Sequence, residues 1–161
     1  MRVKEGNKEK DILEAAVKVF SRQGYHKAKI SKIAEVAGVA TGSVYVYFEN
    51  KEDVLLIIFD RLWEKLYNEF KSLSERPNLT PLELIDSMID LVFDTFTENP
   101  ALADIFVNEQ NHLQRSNKVK FTNYYEKFVD LGEEIIAHGI QNKYINNGID
   151  VRIFRYYILG A

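Results

Sequence analysis

A chain of 161 residues with 46% apolar side chains can bury a core, and the absence of cysteine excludes a disulfide framework, thiolate catalysis and cysteine-ligated zinc. The net charge of −3 is uneven: residues 1–50 carry nine Lys/Arg against six Asp/Glu, and residues 51–161 carry twelve against eighteen. A basic N-terminal third on an acidic remainder suits a local polyanion site, although a swing of this size also arises by chance.

Apolar residues recur at three- and four-residue steps and no run alternates as a strand does, so the pattern predicts an all-α chain. A first helix is expected from about Glu9 to Gln23, with Ile12, Leu13, Ala16, Val17 and Phe20 as its stripe and Gly24 as its stop. A second covers Ser31 to Ala37, and Gly38 follows where a tight turn needs positive φ. A third spans Thr41 to Phe48. A fourth, capped by Asn50 with Asp53 at its third position, reaches about Ser74. Residues 75–78 (ERPN) form the clearest break. Thr80-Pro81-Leu82-Glu83 is then a capping box that opens a fifth helix to Glu98. Apolar side chains cover more than half the circumference of this helix, which predicts that it is buried. A sixth helix starts at Asn99-Pro100 and runs to about Leu113, and a seventh covers Asn117 to Asn142. An eighth follows the 146–148 turn (NNG), with Asp150 as its cap. The chain closes on YILGA with no cap or polar tail, so further structure is expected to follow. The longest apolar run, VLLIIF at 54–59, is far too short to span a bilayer, and the N-terminus carries no apolar signal segment. No membrane partner and a cytoplasmic location are therefore expected.

Residues 30–48 have helix-turn-helix spacing. Ala34 is the small residue where two helices pack closely, Gly38 makes the turn, and Ile33, Val39 and Val44 lock the pair. The outward face of the third helix holds Thr41, Gly42, Ser43, Tyr45 and Tyr47, and no acidic residue lies between 36 and 48. Hydroxyls and aromatic rims suit phosphate oxygens and thymine methyl groups. On spacing alone, a packing element with no DNA role fits as well.

The segment 25–55 (YHKAKISKIAEVAGVATGSVYVYFENKEDVL) resembles the TetR family of repressors. The resemblance rests on Gly24-Tyr25, Ile33-Ala34, Ala37-Gly38-Val39, Gly42, Tyr45, Tyr47-Phe48 and Lys51-Glu52, in a register that needs no gap over 9–60. Val46 departs from the family's usual polar or aromatic residue. The resemblance implies an N-terminal three-helix DNA-binding domain (1–50) and a C-terminal helical bundle for ligand binding and dimerisation (51–161), its last helix missing. It implies that Thr41, Gly42, Ser43 and Tyr45 approach base edges or sugars. Ser31, Tyr47 and Lys51 would hold phosphates, with Lys29 assisting. The implied partners are double-stranded operator DNA, a second copy of the chain and a lipophilic small-molecule effector, and no cofactor is implied. The basic arm (Arg2, Lys4, Lys8, Lys10) reads either as a minor-groove probe or as a solvated tail.

The effector pocket is expected among the aromatic residues of helices five to eight. The candidates are Phe93, Phe96, Phe106, Tyr124 and Phe128; the same side chains also suit an ordinary core. Residues 99–117 and 133–161 are similar to the fatty-acid-degradation branch of the family, which implies a long-chain acyl-CoA effector. Arg152 would then meet its phosphate or carbonyl groups, unless it pairs with a nearby carboxylate such as Asp150. A sensor of another lipophilic ligand, such as a drug-efflux regulator, and a helical interaction module without specific DNA binding remain alternatives. His26, His112 and His138 are scattered, and no phosphate loop or nucleophile elbow appears, so no enzyme and no metal site are expected.

Overall fold

The computed structural model describes residues 8–116 and 123–152, with 110–116 as helix backbone only. Among the described residues there are seven helices and no strand. They are α1 (Lys8–Gln23), α2 (Ile30–Ala37), α3 (Thr41–Val44), α4 (Lys51–Ser74), α5 (Pro81–Glu98), α6 (Pro100–Ser116) and α7 (Asn123–Gln141). The expected eighth helix lies outside the described residues. Asp150 Oδ1 does accept the backbone N–H of Arg152 at 3.0 Å, as a cap would.

The chain forms two compact units: residues 1–59 with 99–121, and residues 60–98 with 122–161. They cut the chain differently from the linear division at residue 50. The first part of α4 belongs with the helix-turn-helix, and so does α6, which packs on α1. In this first unit Ile12, Ala16 and Phe20 of α1 are buried with Ile33 and Ala34 of α2 and Val44 of α3. Phe59 of α4 stacks on Phe106 of α6, ring centroids 5.6 Å apart.

In the second unit α5 packs on α7, and Phe128 is buried between Trp63 and Phe70 of α4, at 5.6 and 5.9 Å. Only one side of α5 is covered. Leu84, Met88 and Thr95 are buried, whereas Leu82, Ile89 and Phe93 stand in solvent, so the wide apolar face does not make α5 a fully buried helix. Close packing converges on Gly139: a Cβ there would lie 2.6 Å from Ile145 Cδ1 and 3.1 Å from Pro81 Cβ. The turn that brings Ile145 back has Lys143 at φ 62°, and both Tyr144 and Ile145 donate to the Gly139 carbonyl.

The expected caps form. Asn50 Oδ1 accepts Asp53 N–H at 3.0 Å, and Asp53 Oδ2 reaches back to Glu49 N–H at 3.1 Å. At α5 the Thr80 N–H and hydroxyl both donate to Glu83 Oε2, and Thr80 Oγ1 accepts Glu83 N–H. Glu83 is held below the usual carboxylate range by the Thr80 N–H first and its hydroxyl second.

Candidate nucleic-acid interface

The helix-turn-helix is built by α2, the turn at Gly38 and α3. Gly38 sits at φ 69°, ψ 30°, and its N–H and that of Val39 close the end of α2 on the Glu35 and Ala34 carbonyls. A residue with a Cβ is disfavoured in this left-handed conformation, so the glycine fixes where α3 departs. Buried Ile33, Ala34 and Val44 then lock the two helices.

The third helix is shorter than the sequence pattern suggests: it ends at Val44, and 45–47 form turns. Tyr47 N–H bonds to the Val44 carbonyl three residues back, and Phe48 N–H bonds to the same oxygen, so the coil tightens as it ends. Phe48 is buried while Tyr45, Val46 and Tyr47 are exposed, which explains the tightening: the turn swings one ring inward and leaves the others outside.

Of the residues expected at DNA, Lys29, Ser31, Thr41, Gly42, Tyr45 and Tyr47 are exposed and Ser43 is half-buried. Neither α2 nor α3 has a side-chain cap; Lys29 and Ala40 occupy the cap positions. Uncapped helix starts leave N–H groups for an outside acceptor. Sequence reasoning passed over this feature, although the lack of Ser, Thr, Asp or Asn at 29 and 40 announces it. Lys51 is placed differently from the rest. It is half-buried, and its ammonium donates to the carbonyls of Tyr25 (2.7 Å), His26 (3.1 Å) and Ala28 (3.2 Å). Tyr25 itself is buried, and burial raises its hydroxyl pKa, helped by the Glu52 and Glu109 carboxylates.

The six residues expected at an effector fall in both units. Phe106 belongs to the first unit and the other five to the second. Phe93 is 68% exposed, Phe128 is fully buried in the core, and Phe96 is half-buried. Tyr124 donates to Glu64 at 3.0 Å, a bond that raises its pKa, and its ring carries the Lys127 ammonium at 4.9 Å. Arg152 pairs with Asp150 at 2.9 Å, the carboxylate pairing weighed from the sequence. A groove of about 280 Å³ in the second unit is lined by Leu79, Pro81, Leu84, Leu131, Ile135 and His138 among others, and none of the six expected residues lines it. Among the described residues no His, Asp and Glu cluster could hold a metal ion, and no helix is long and apolar enough to cross a membrane.

A family model described as bacterial regulatory proteins, tetR family, matches residues 12–58. The fatty acid metabolism regulator protein of Bacillus subtilis strain 168 is 34% identical over 155 residues, which cover 93% of this chain and 77% of that protein. The chain belongs to the tetR family. Solved structures agree over almost the whole length. The fatty acid degradation regulator FadR of Bacillus halodurans has a TM-score of 0.83 at 31% identity, covering 98% of this chain and 81% of its own. FadR of Bacillus subtilis, solved in complex with stearoyl-CoA, has a TM-score of 0.80 at 32% identity, with 94% and 81% covered. This tetR-family chain is a ligand-responsive transcriptional repressor, and its helix-turn-helix is the DNA-binding element.

Proposed function

We propose that this tetR-family repressor acts in the cytoplasm as a homodimer on near-palindromic operator DNA and leaves it when a long-chain acyl-CoA binds. The observation that carries the effector is the likeness, over 94% of the chain, to a FadR solved with stearoyl-CoA. Two subunits present their recognition elements about 34–36 Å apart, in successive major grooves. Thr41, Gly42, Ser43 and Tyr45 approach the bases, while Lys29, Ser31 and Tyr47 meet phosphates beside the uncapped starts of α2 and α3. The acyl chain lies among the aromatic residues of the second unit, Phe96 and Tyr124 included. An effector that fits one arrangement of the subunits better than the other shifts the population away from the DNA-competent state, by no more than its differential affinity.

Fluorescence anisotropy of the protein's own upstream DNA, titrated with protein and then with stearoyl-CoA, tests the proposal. Tight, salt-sensitive binding that collapses with stearoyl-CoA supports it. Binding that ignores stearoyl-CoA retains the repressor and rejects this effector, leaving another lipophilic ligand to be screened for. Binding with no preference for the upstream DNA rejects the operator assignment.

A further inference from the structure

Lys51 opens α4 just after the recognition element, where resemblance to the family implies a phosphate contact. In the structure its ammonium is committed elsewhere. Three carbonyls accept from it, those of Tyr25, His26 and Ala28 at 2.7, 3.1 and 3.2 Å, and it stands 4.4 Å from the centroid of the Tyr25 ring. An ammonium has three hydrogens, so this set is complete. Charge-assisted hydrogen bonds over an aromatic face are the strong kind, and all of them would have to be surrendered to reach a phosphate. The acceptors lie on the loop between α1 and α2, which is itself firmly built: Gly24 sits at φ 75°, Ala28 N–H bonds to the Gly24 carbonyl, and Tyr25 and Ala28 are buried. That loop delivers the chain into α2, and Lys51 receives it after α3. One side chain therefore pins the entrance of the helix-turn-helix to its exit.

We infer that Lys51 is a positioning residue for DNA recognition: it closes the helix-turn-helix between its entry loop and α4, and it does not bind a phosphate. The inference rests on the DNA-binding reading of the chain, but the tie itself can be measured without DNA. In an ammonium ¹⁵N–¹H correlation spectrum of the intact protein, Lys51 should give a slowly exchanging signal in the free state that does not move when upstream DNA is added. A rapidly exchanging Lys51 in the free protein, or a signal that shifts with DNA, overturns the inference. Lys51→Met should weaken binding to the operator about tenfold, while non-specific DNA binding and the salt dependence of operator binding stay as in the parent. A salt slope lowered by about 0.9, with equal loss on every DNA, marks a lost phosphate contact and also overturns it. So does unchanged operator affinity with only a lower Tm, which would make Lys51 a brace irrelevant to recognition. If Lys51→Met does not fold, the parent's ammonium signal and its response to DNA decide. If no DNA is bound specifically, the operator reading fails, and the free-state signal still tests the tie.

Discussion

Tyr47 keeps 42% of its surface in solvent while its neighbour Phe48 keeps 2%, so the turn after α3 spends one ring on the core and offers the other outward. A phenol in that place can hold a phosphate oxygen without reading a base. Tyr47→Phe should therefore weaken binding to every sequence alike, by about 1 kcal/mol for one hydrogen bond, with no change in preference. Ser43→Ala or Thr41→Ala should instead change which operator variants bind best; equal losses for all three variants on every DNA would sink the division of roles. Gly38→Ala tests the turn. Its left-handed backbone should cost about 1–2 kcal/mol of stability, measured by denaturant unfolding, although nothing lies within 4 Å of a Cβ there. Gly38 and Ala34 are readable in the sequence because their constraints are local: a turn, and a close approach one helix step away. Lys51 is not, because its acceptors lie 23 to 26 residues upstream and are backbone atoms, which no side-chain pattern reveals.

A helix start is legible where a cap and its partner stand three residues apart, as at Asn50–Asp53 and Thr80–Glu83. The Thr80–Glu83 box forms as the sequence suggests, and it makes α5 sensitive to acid. Glu83 has a lowered folded pKa, so its contribution to stability is complete above the ordinary glutamate value of 4.5 and is lost as pH falls through the folded value. Glu83→Gln should accordingly destabilise the protein at pH 7, and its difference in Tm from the parent should shrink steadily below about pH 4.5. A difference that does not vary with pH would mean that the carboxylate charge plays no part. Thr80→Ala should cost about 1 kcal/mol at neutral pH. The end of the third helix was harder to read. The third helix was expected to reach Phe48, but burial of Phe48 tightens the last turn, and burial is a property of the assembled unit. The exposed side of α5 was missed for a related reason: periodicity reports how wide an apolar face is, not how much of it neighbours cover.

The assignment of α6 was beyond the sequence altogether, because it depends on packing against α1, some 90 residues earlier in the chain. It matters for the working of the whole molecule. Among the described residues the chain passes between its two compact units at 59/60, inside α4, and at 98/99, where α5 gives way to α6. The stack of Phe106 on Phe59 joins α6 and α4 inside the first unit, where Phe106 is nearly buried. Coupling between an effector and DNA is a free energy, commonly about 1–3 kcal/mol, and by linkage each ligand must weaken the other by the same factor. Phe106→Leu keeps an apolar side chain but removes the ring stack. It should lower the coupling between stearoyl-CoA and operator DNA by about 0.5–2 kcal/mol while each is bound alone with near-parental affinity. Four titrations close the measurement, each ligand with and without the other. If Phe106→Leu instead abolishes stearoyl-CoA binding to the free protein, Phe106 lines the effector site, and the relay through its stack on Phe59 is wrong. If coupling persists unchanged, the signal bypasses this contact, and the continuous helix α4 becomes the element to cut next.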